Sequence, residues 1–474
     1  MLNSSATQYN KILSIYDLIL SNIGHIVGAG VFVLIGKILN IAGKTAWLSV
    51  LLSGLFIYFI SDSYIKVYNK YLTNDSEYLA IKVKYGKLIS NIAVISTCIG
   101  VILIIYIVVL GFGSYTNIIT NNYISSFTAS LLGLLSAVII NIYGIELTTD
   151  INNIFTIGGI FGLFLLIFLG CIYFYTHWLS IIKNFKIHSI HDINILNILY
   201  GAFIFIFAYG GFELIIRLSA EAETESTSPD IINQNTQQTN INTGIHIGKQ
   251  NDINTDKTGI NNDINNDKNN IHIALKYSIV IIIIIYTMLM LIMIGVFGDG
   301  RHSSLASSLT PLSVLINKLT HNTFIIKYIE LSGMSLTWNT ILLSITYGSR
   351  LITEYAKNIN IYTLDTNNNL DTNNLDTNTN NNLYTNTNNN LDTNTNLDTN
   401  TNNNLDTKLD TKLDNKIINL LKDINIYTQT PIYSIIFIGI IVLLLILIKL
   451  NIITSTIVSN ACVIMVMFLV YLSS

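Results

Sequence analysis

Charge is scarce in this chain. Asp, Glu, Lys and Arg make up 11% of its 474 residues, about half the share that soluble domains carry. With hydrophobic residues at 51% and a mean hydropathy of +0.52, that scarcity excludes a soluble globular domain and indicates an integral membrane protein. Cysteine is scarce too. Cys98, Cys171 and Cys462 all fall within apolar runs, so neither a disulfide framework nor a metal-ligand spacing is present. Nor is there an excess of positive charge: the formal net charge of −3 argues against a nucleic-acid partner. No glycine-rich phosphate loop ending in Lys-Ser or Lys-Thr occurs, which argues against an ATPase. No cofactor is expected, and the chain is not read as an enzyme. The N-terminal dozen residues are polar and the apolar run after them is too long for a leader's core, so no cleavable signal peptide is expected.

What the chain has in abundance is apolar runs. Ten segments approach the ~20 residues a helix needs to cross a bilayer: 12–35, 42–61, 89–113, 128–144, 153–175, 196–218, 274–296, 324–348, 432–449 and 452–472. The fourth and ninth are short. The eighth is the least apolar, with Ser332, Ser335, Thr337, Asn339, Thr340, Ser344 and Thr346 along it; a polar helix in a membrane bundle faces protein or water. With the N-terminus inside, 17 basic residues fall inside and 8 outside. Discounting the six lysines of the long insertions leaves 11 against 8. Basic residues favour the cytoplasmic side, so both termini are expected in the cytoplasm; whether the membrane is the plasma membrane or an internal one stays open.

Two polar blocks divide the spans. Residues 232–271 are rich in Asn, Asp, Thr and Gln, and residues 364–416 repeat a unit such as Leu370-Asp371-Thr372-Asn373-Asn374. The Leu spacing holds no steady helical or strand period, and so much Asn and Thr cannot build a core. Both blocks are expected to be disordered cytoplasmic loops. The organisation is thus helices one to six over 12–218, a polar insertion, helices seven and eight over 274–348, a repeat insertion, and helices nine and ten over 432–472.

Within the first span stands Gly28-Ala29-Gly30. Glycine weakens a helix, and in hydrocarbon a freed backbone group must find another partner, so a break is tolerated where it lines a cavity. Gly210-Gly211 sits mid-span in helix six. Paired glycine-interrupted spans are the mark of transporters that bind a small zwitterion at the midplane. The alternative is that these small residues only let helices pack closely.

Several segments together resemble the amino acid–polyamine–organocation transporter superfamily. Gly24-His25-Ile26-Val27-Gly28-Ala29-Gly30-Val31-Phe32 is similar to its "G-x-I-V-G-[SA]-G-I-F" signature. Ala42-Gly43-Lys44-Thr45-Ala46-Trp47-Leu48-Ser49 looks like "AGPxAWLS", and Ser76-Glu77-Tyr78 with Tyr85-Gly86 looks like "GGEY…FG". Phe207-Ala208-Tyr209-Gly210-Gly211-Phe212-Glu213 resembles "FAYGGF[ED]", particularly of the amino acid exchangers. Ser349-Arg350-Leu351 with Ala356-Lys357, then Thr430-Pro431-Ile432, looks like "SRLxYxxAR…TP". The resemblance implies an all-α membrane fold with a ten-helix core of two inverted five-helix repeats, discontinuous helices one and six, and secondary transport of amino acids by alternating access. A polyamine or organic-cation carrier, and a non-transporting sensor or degenerate paralogue, remain as alternatives. Two departures stand out. The family's "E-E" after span six reads Ala220-Glu221, and the fifth-span lysine of many members is replaced at Thr156-Ile157-Gly158-Gly159. In some proton-coupled relatives that ammonium takes the place of a sodium ion. Exchangers with a glycoprotein subunit use a cysteine in the third-to-fourth outer loop; residues 114–127 have none, so a disulfide-linked heavy subunit is not expected.

The expected substrate site follows from the two breaks. A helix restarting at about Val31 leaves unpaired N–H groups, which with the positive dipole end favour a carboxylate; Gly28, Ala29 and Gly30 let it approach. Carbonyls near Ile26, Val27, Phe207 and Ala208 suit an ammonium group, with Tyr209, Gly210 and Gly211 completing the second break. The resemblance implies an aromatic gate at Phe207; the alternative is a packing residue. His25 is either a proton carrier or a neutral side chain bonded to a neighbouring helix. Glu213 is a proton site or gate, or a partner of Arg217 one turn on. Trp338 lines the pocket or packs elsewhere. Asp17 and Arg350 belong to a cytoplasmic-side polar network or sit at solvated helix ends. Gly144 after Asn141-Ile142-Tyr143 reads as a helix stop.

Overall fold

The computed structural model describes residues 13–186, 194–218, 252–300, 305, 308–371 and 416–474. Among these residues the regular structure is helical throughout, as apolar runs of this length require when every backbone N–H and C=O must be paired inside a membrane. Helix α1 (Ile15–Ala29) starts at a capping box: the Asp17 amide donates to Ser14 Oγ and the Ser14 amide donates to the Asp17 carboxylate at 3.0 Å. A π-helical turn over Gly30–Leu34 carries the chain into α2 (Ile35–Ala42). The turn Gly43–Thr45 then leads into α3 (Ala46–Tyr71).

Next come α4 (Ser76–Ile119), α5 (Ser126–Tyr143), α6 (Ile145–Thr176) and the short α7 (Trp178–Phe185). Helix α4 bends at Gly86, where φ is 83° and nothing lies within 4 Å of a would-be Cβ. Backbone conformation rather than space demands glycine there. Gly144, at φ 134°, separates α5 from α6, the stop read from the sequence. The second half comprises α8 (Ile195–Phe205), α9 (Leu214–Arg217), α10 (Asp252–Phe297), α11 (Pro311–Leu319), α12 (Thr323–Asp371), α13 (Ile432–Ile448) and α14 (Ile452–Ser473).

Seven helical stretches among the described residues are long and apolar enough to cross a membrane, and the chain is an integral, multi-pass membrane protein. The first, Ile15–Tyr71, has 57 residues and would measure about 85 Å if straight. It turns at Gly43–Thr45 and so contains two of the ten expected spans. The expected eighth and ninth spans lie in α12 and in the 17-residue α13, outside those seven.

The helices are built outside-in. On α6, Ile154, Ile157, Phe161, Phe164, Phe168, Ile172 and Tyr175 recur every three or four residues and are exposed, while Asn152, Thr156, Gly159, Gly162 and Gly170 are buried. A membrane helix gains nothing by hiding apolar side chains from lipid; small residues for close approach and polar ones for hydrogen bonds face the protein instead. The same logic puts α12 at the centre, against α1, α4, α5, α6 and α13. Its Ser332, Thr337, Asn339, Thr340, Ser344 and Thr346 are all buried.

The polar blocks require a correction. Residues 252–271 continue helix α10 backwards and residues 364–371 continue α12 forwards, where loop is expected from composition. Once a long helix exists, each added residue gains a hydrogen bond without a new nucleation cost, and neither stretch contains proline. Residues 232–251 and 372–415 of the two blocks lie outside the described residues.

Candidate functional site

The first interruption is tighter than the sequence leads one to expect. Gly30–Leu34 forms a π turn that runs straight into α2, and all five residues are buried. No new helix begins at Val31, so the expected cluster of unpaired N–H groups is not formed there. A π turn absorbs one extra residue while keeping the ladder bonded i to i+5, and the packed side chains of Val31, Phe32 and Val33 hold it closed.

The second interruption is open. After α8 the chain takes a 3-10 turn over Ile206–Tyr209, then irregular turns from Gly210 to Glu213, before the single turn of α9. Gly211 has φ 96°, and a Cβ there would strike the His25 ring, so both conformation and space require glycine.

The two interruptions touch. A Cβ on Gly30 would fall on Cα and Cβ of Ala208, and one on Gly28 would meet the Thr340 side chain and the Leu336 carbonyl. The His25 ring spans the gap one turn earlier. Its Nδ1 is 3.0 Å from the Gly211 carbonyl and its Nε2 2.8 Å from Ser344 Oγ. A carbonyl only accepts, so Nδ1 carries the proton. Of the carbonyls expected to face an ammonium, those of Ile26 and Ala208 converge. The Tyr286 hydroxyl lies 2.9 Å from the first and 3.2 Å from the second. The Phe207 carbonyl is taken by the Gly210 amide at 3.1 Å. Phe207, Ala208 and Tyr209 are buried, as are Ile26, Val27 and Gly28.

Beyond the second break lies a buried charge cluster. The Glu213 carboxylate accepts from the Tyr347 hydroxyl at 3.3 Å. Arg217 turns away from Glu213, contrary to the helical spacing of the two residues. Its guanidinium bridges Glu77 at 3.2 Å and donates to the Asn74 carbonyl at 2.7 Å, with the Tyr347 ring centroid 5.8 Å away. Glu213 and Arg217 begin and end one short helical turn, but spacing alone does not make a pair, and the guanidinium goes to the carboxylate that α4 brings within 3.2 Å. A small cavity beside the cluster is lined by Tyr64, Glu77, Thr97, Glu213 and Tyr347.

Trp338 lies elsewhere. Its Nε1 donates to Ser136 Oγ at 2.8 Å, its ring meets Phe155 edge-on at 5.3 Å, and it lines an apolar groove of about 440 Å³ with Phe112, Gly158, Tyr328 and Met334. No residue from either interruption lines that groove. Asp17 accepts from Asn153 Nδ2 at 2.6 Å, joining the start of α1 to α6. Arg350 Nη1 reaches the Thr346 carbonyl at 3.4 Å.

Sequence reasoning missed a neutral network around Gly24. Asn339 Nδ2 donates to Asn152 Oδ1 at 2.7 Å and to Thr156 Oγ1 at 2.9 Å, and Asn152 Nδ2 donates to Ser21 Oγ at 3.2 Å. The available signal was the polar face of the eighth span, whose partners only packing reveals. At Gly159, the position expected to lack a lysine, a Cβ would collide with the Leu336 side chain. Tyr286 was also missed, and so was Asn141. Asn141 Nδ2 donates to the Leu342 carbonyl at 2.9 Å, and Thr346 donates to Asn141 Oδ1 at 2.6 Å. Among the described residues no cluster of three or more His, Cys, Asp or Glu is placed to hold a metal ion.

Residues 13–231 match the family model described as amino acid permease. No curated protein matches the chain.

Proposed function

The chain belongs to the amino acid permease family of the amino acid–polyamine–organocation superfamily, and from that premise we propose that it moves amino acids across its membrane by alternating access. The observation that carries this reading is the meeting of the two interruptions, Gly30 against Ala208, with the carbonyls of Ile26 and Ala208 turned toward one point. Carbonyls that converge where two interrupted spans meet are a natural seat for an ammonium group, and a site held by backbone leaves side-chain selectivity to the walls. In this reading the helices form two inverted five-helix repeats, α1–α2 and α8–α9 are their corresponding first members, and these elements rock against the rest. Both termini lie on the cytoplasmic side, in keeping with the basic residues of the second-to-third connection.

The preferred energetics is exchange. Gly159 has no room for a side chain, and the nearby network of Asn152, Thr156 and Asn339 is neutral. Among the described residues no fixed ammonium stands at this junction of α1, α6 and α12 to substitute for a coupling cation. Purified protein in liposomes tests the reading. Preloading with unlabelled amino acids accelerates uptake of a radiolabelled L-amino-acid mixture, with little response to an imposed proton gradient. Gradient-driven accumulation into empty vesicles, lost in Glu213→Gln or His25→Ala, overturns exchange and names the proton carrier. Absence of flux in either mode overturns transport itself.

A further inference from the structure

Tyr286 belongs to α10, away from both interruptions in sequence, yet its hydroxyl sits between their two carbonyls. The side chain is fully buried. Its ring is held edge-on by Phe205 at 5.5 Å and by Tyr209 at 5.4 Å, so the hydroxyl's position is set by packing rather than by chance rotation. A phenol has one proton to donate, whereas an ammonium has three. One hydroxyl therefore covers two buried acceptors incompletely; an ammonium at the same point satisfies both with a donor to spare, and its charge strengthens each bond. Buried carbonyls are costly to leave dry, and the Tyr286 hydroxyl reaches both of these.

We infer that Tyr286 is an internal stand-in for the substrate's ammonium group, bridging the first and sixth elements in the empty carrier and yielding those carbonyls when an amine enters. The inference rests on the amino acid site proposed above. Its functional consequence is control over the return of the empty carrier. With the hydroxyl in place, the unloaded interruptions close on each other and the carrier reorients without cargo. Without it, closure deprives both carbonyls of this donor, and reorientation depends on a bound substrate. Tyr286 thus sets the ratio of net transport to exchange and competes with substrate for the same acceptors.

Tyr286→Phe keeps the ring and removes only the donor. Wild type and variant are compared in liposomes loaded with a radiolabelled L-amino-acid mixture, measuring efflux into amino-acid-free buffer, efflux into buffer containing the unlabelled mixture, and the half-saturating external concentration. In the variant, efflux into empty buffer falls about tenfold and the half-saturating concentration falls by a similar factor, the worth of about one buried hydrogen bond. The ratio of exchange to efflux into empty buffer therefore rises several-fold, because the loaded site does not use the hydroxyl. If all three quantities are unchanged, or fall in parallel, Tyr286 is a packing residue and the inference is wrong. If the wild type itself carries no amino acid, the transport reading fails and takes this one with it, so the two failures are distinct. Should Tyr286→Phe not purify as a monodisperse protein, Tyr286→Met also lacks the donor and carries the same comparison.

Discussion

Arg217→Met tests the buried charge cluster most sharply. The guanidinium and the Glu77 carboxylate are 2% and 4% exposed and 3.2 Å apart. Arg217 also donates to the Asn74 carbonyl at 2.7 Å. Methionine fills much of the space with an unbranched apolar chain but leaves Glu77 charged in a dry site. The second carboxylate oxygen, Oε1, has no hydrogen-bond partner among the described residues, which leaves the ion Arg217 and the start of α4. Removing one member of a buried pair costs about 3–5 kcal/mol, most of it the penalty for the stranded charge. The damage is therefore conditional on Glu77. Arg217→Met combined with Glu77→Gln takes away the stranded charge and recovers most of the loss, since replacing both members of a buried pair is often close to neutral. Thermal or denaturant unfolding of the four proteins of the double-mutant cycle, in one detergent, reads the coupling. A single variant within about 1 kcal/mol of wild type, or a double variant no more stable than Arg217→Met, refutes the argument; the first would mean that water reaches the pair, the second that Arg217 acts through its contacts with Asn74 and Tyr347 alone.

Two further outcomes follow from packing and from chain organisation. Gly30→Ala drives a methyl onto Cα and Cβ of Ala208, an overpacking of about 1–3 kcal/mol that separates the interruptions and abolishes amino acid uptake; Gly158→Ala, with nothing within 4 Å, leaves uptake at the wild-type level. Normal uptake by Gly30→Ala would mean that the site lies elsewhere. Deletion of 372–415 leaves uptake within about threefold, because the block lacks core-forming residues and insertions of this kind are tolerated; uptake at background in a deletant that reaches the membrane would make the block part of the machinery.

Much of the membrane architecture is legible from residue order. Scarce charge and long apolar runs dictate helices, because only helices or closed barrels satisfy the backbone in hydrocarbon. Gly144 ends α5 and Gly211 takes a positive φ for the same local reason, the missing Cβ. Except for Ser335, the polar residues of the eighth span are buried, as serines, threonines and asparagine require in a bundle surrounded by lipid. Length and hydropathy could not say where helix ends lie in the polar blocks, since Asn and Asp weaken helices without forbidding them.

Tertiary packing decided the rest. Gly28-Ala29-Gly30 marks a weak point, but whether it opens into a loop or closes into a π turn depends on what presses against it, here Ala208, Leu336 and Thr340. Arg217 and Glu213 stand at helical spacing, yet the pair that forms is Arg217 with Glu77, 140 positions away, because a buried charge is held by the opposite charge that folding brings to it. Trp338 shares a helix with Asn339 and Thr340 but points into a different groove. Tyr286 is one of 26 tyrosines with no local pattern to distinguish it. Its hydroxyl becomes informative only when α10 is packed across both interruptions, since hydrogen bonding depends on distances of about 3 Å between groups whose sequence separation carries no record of them.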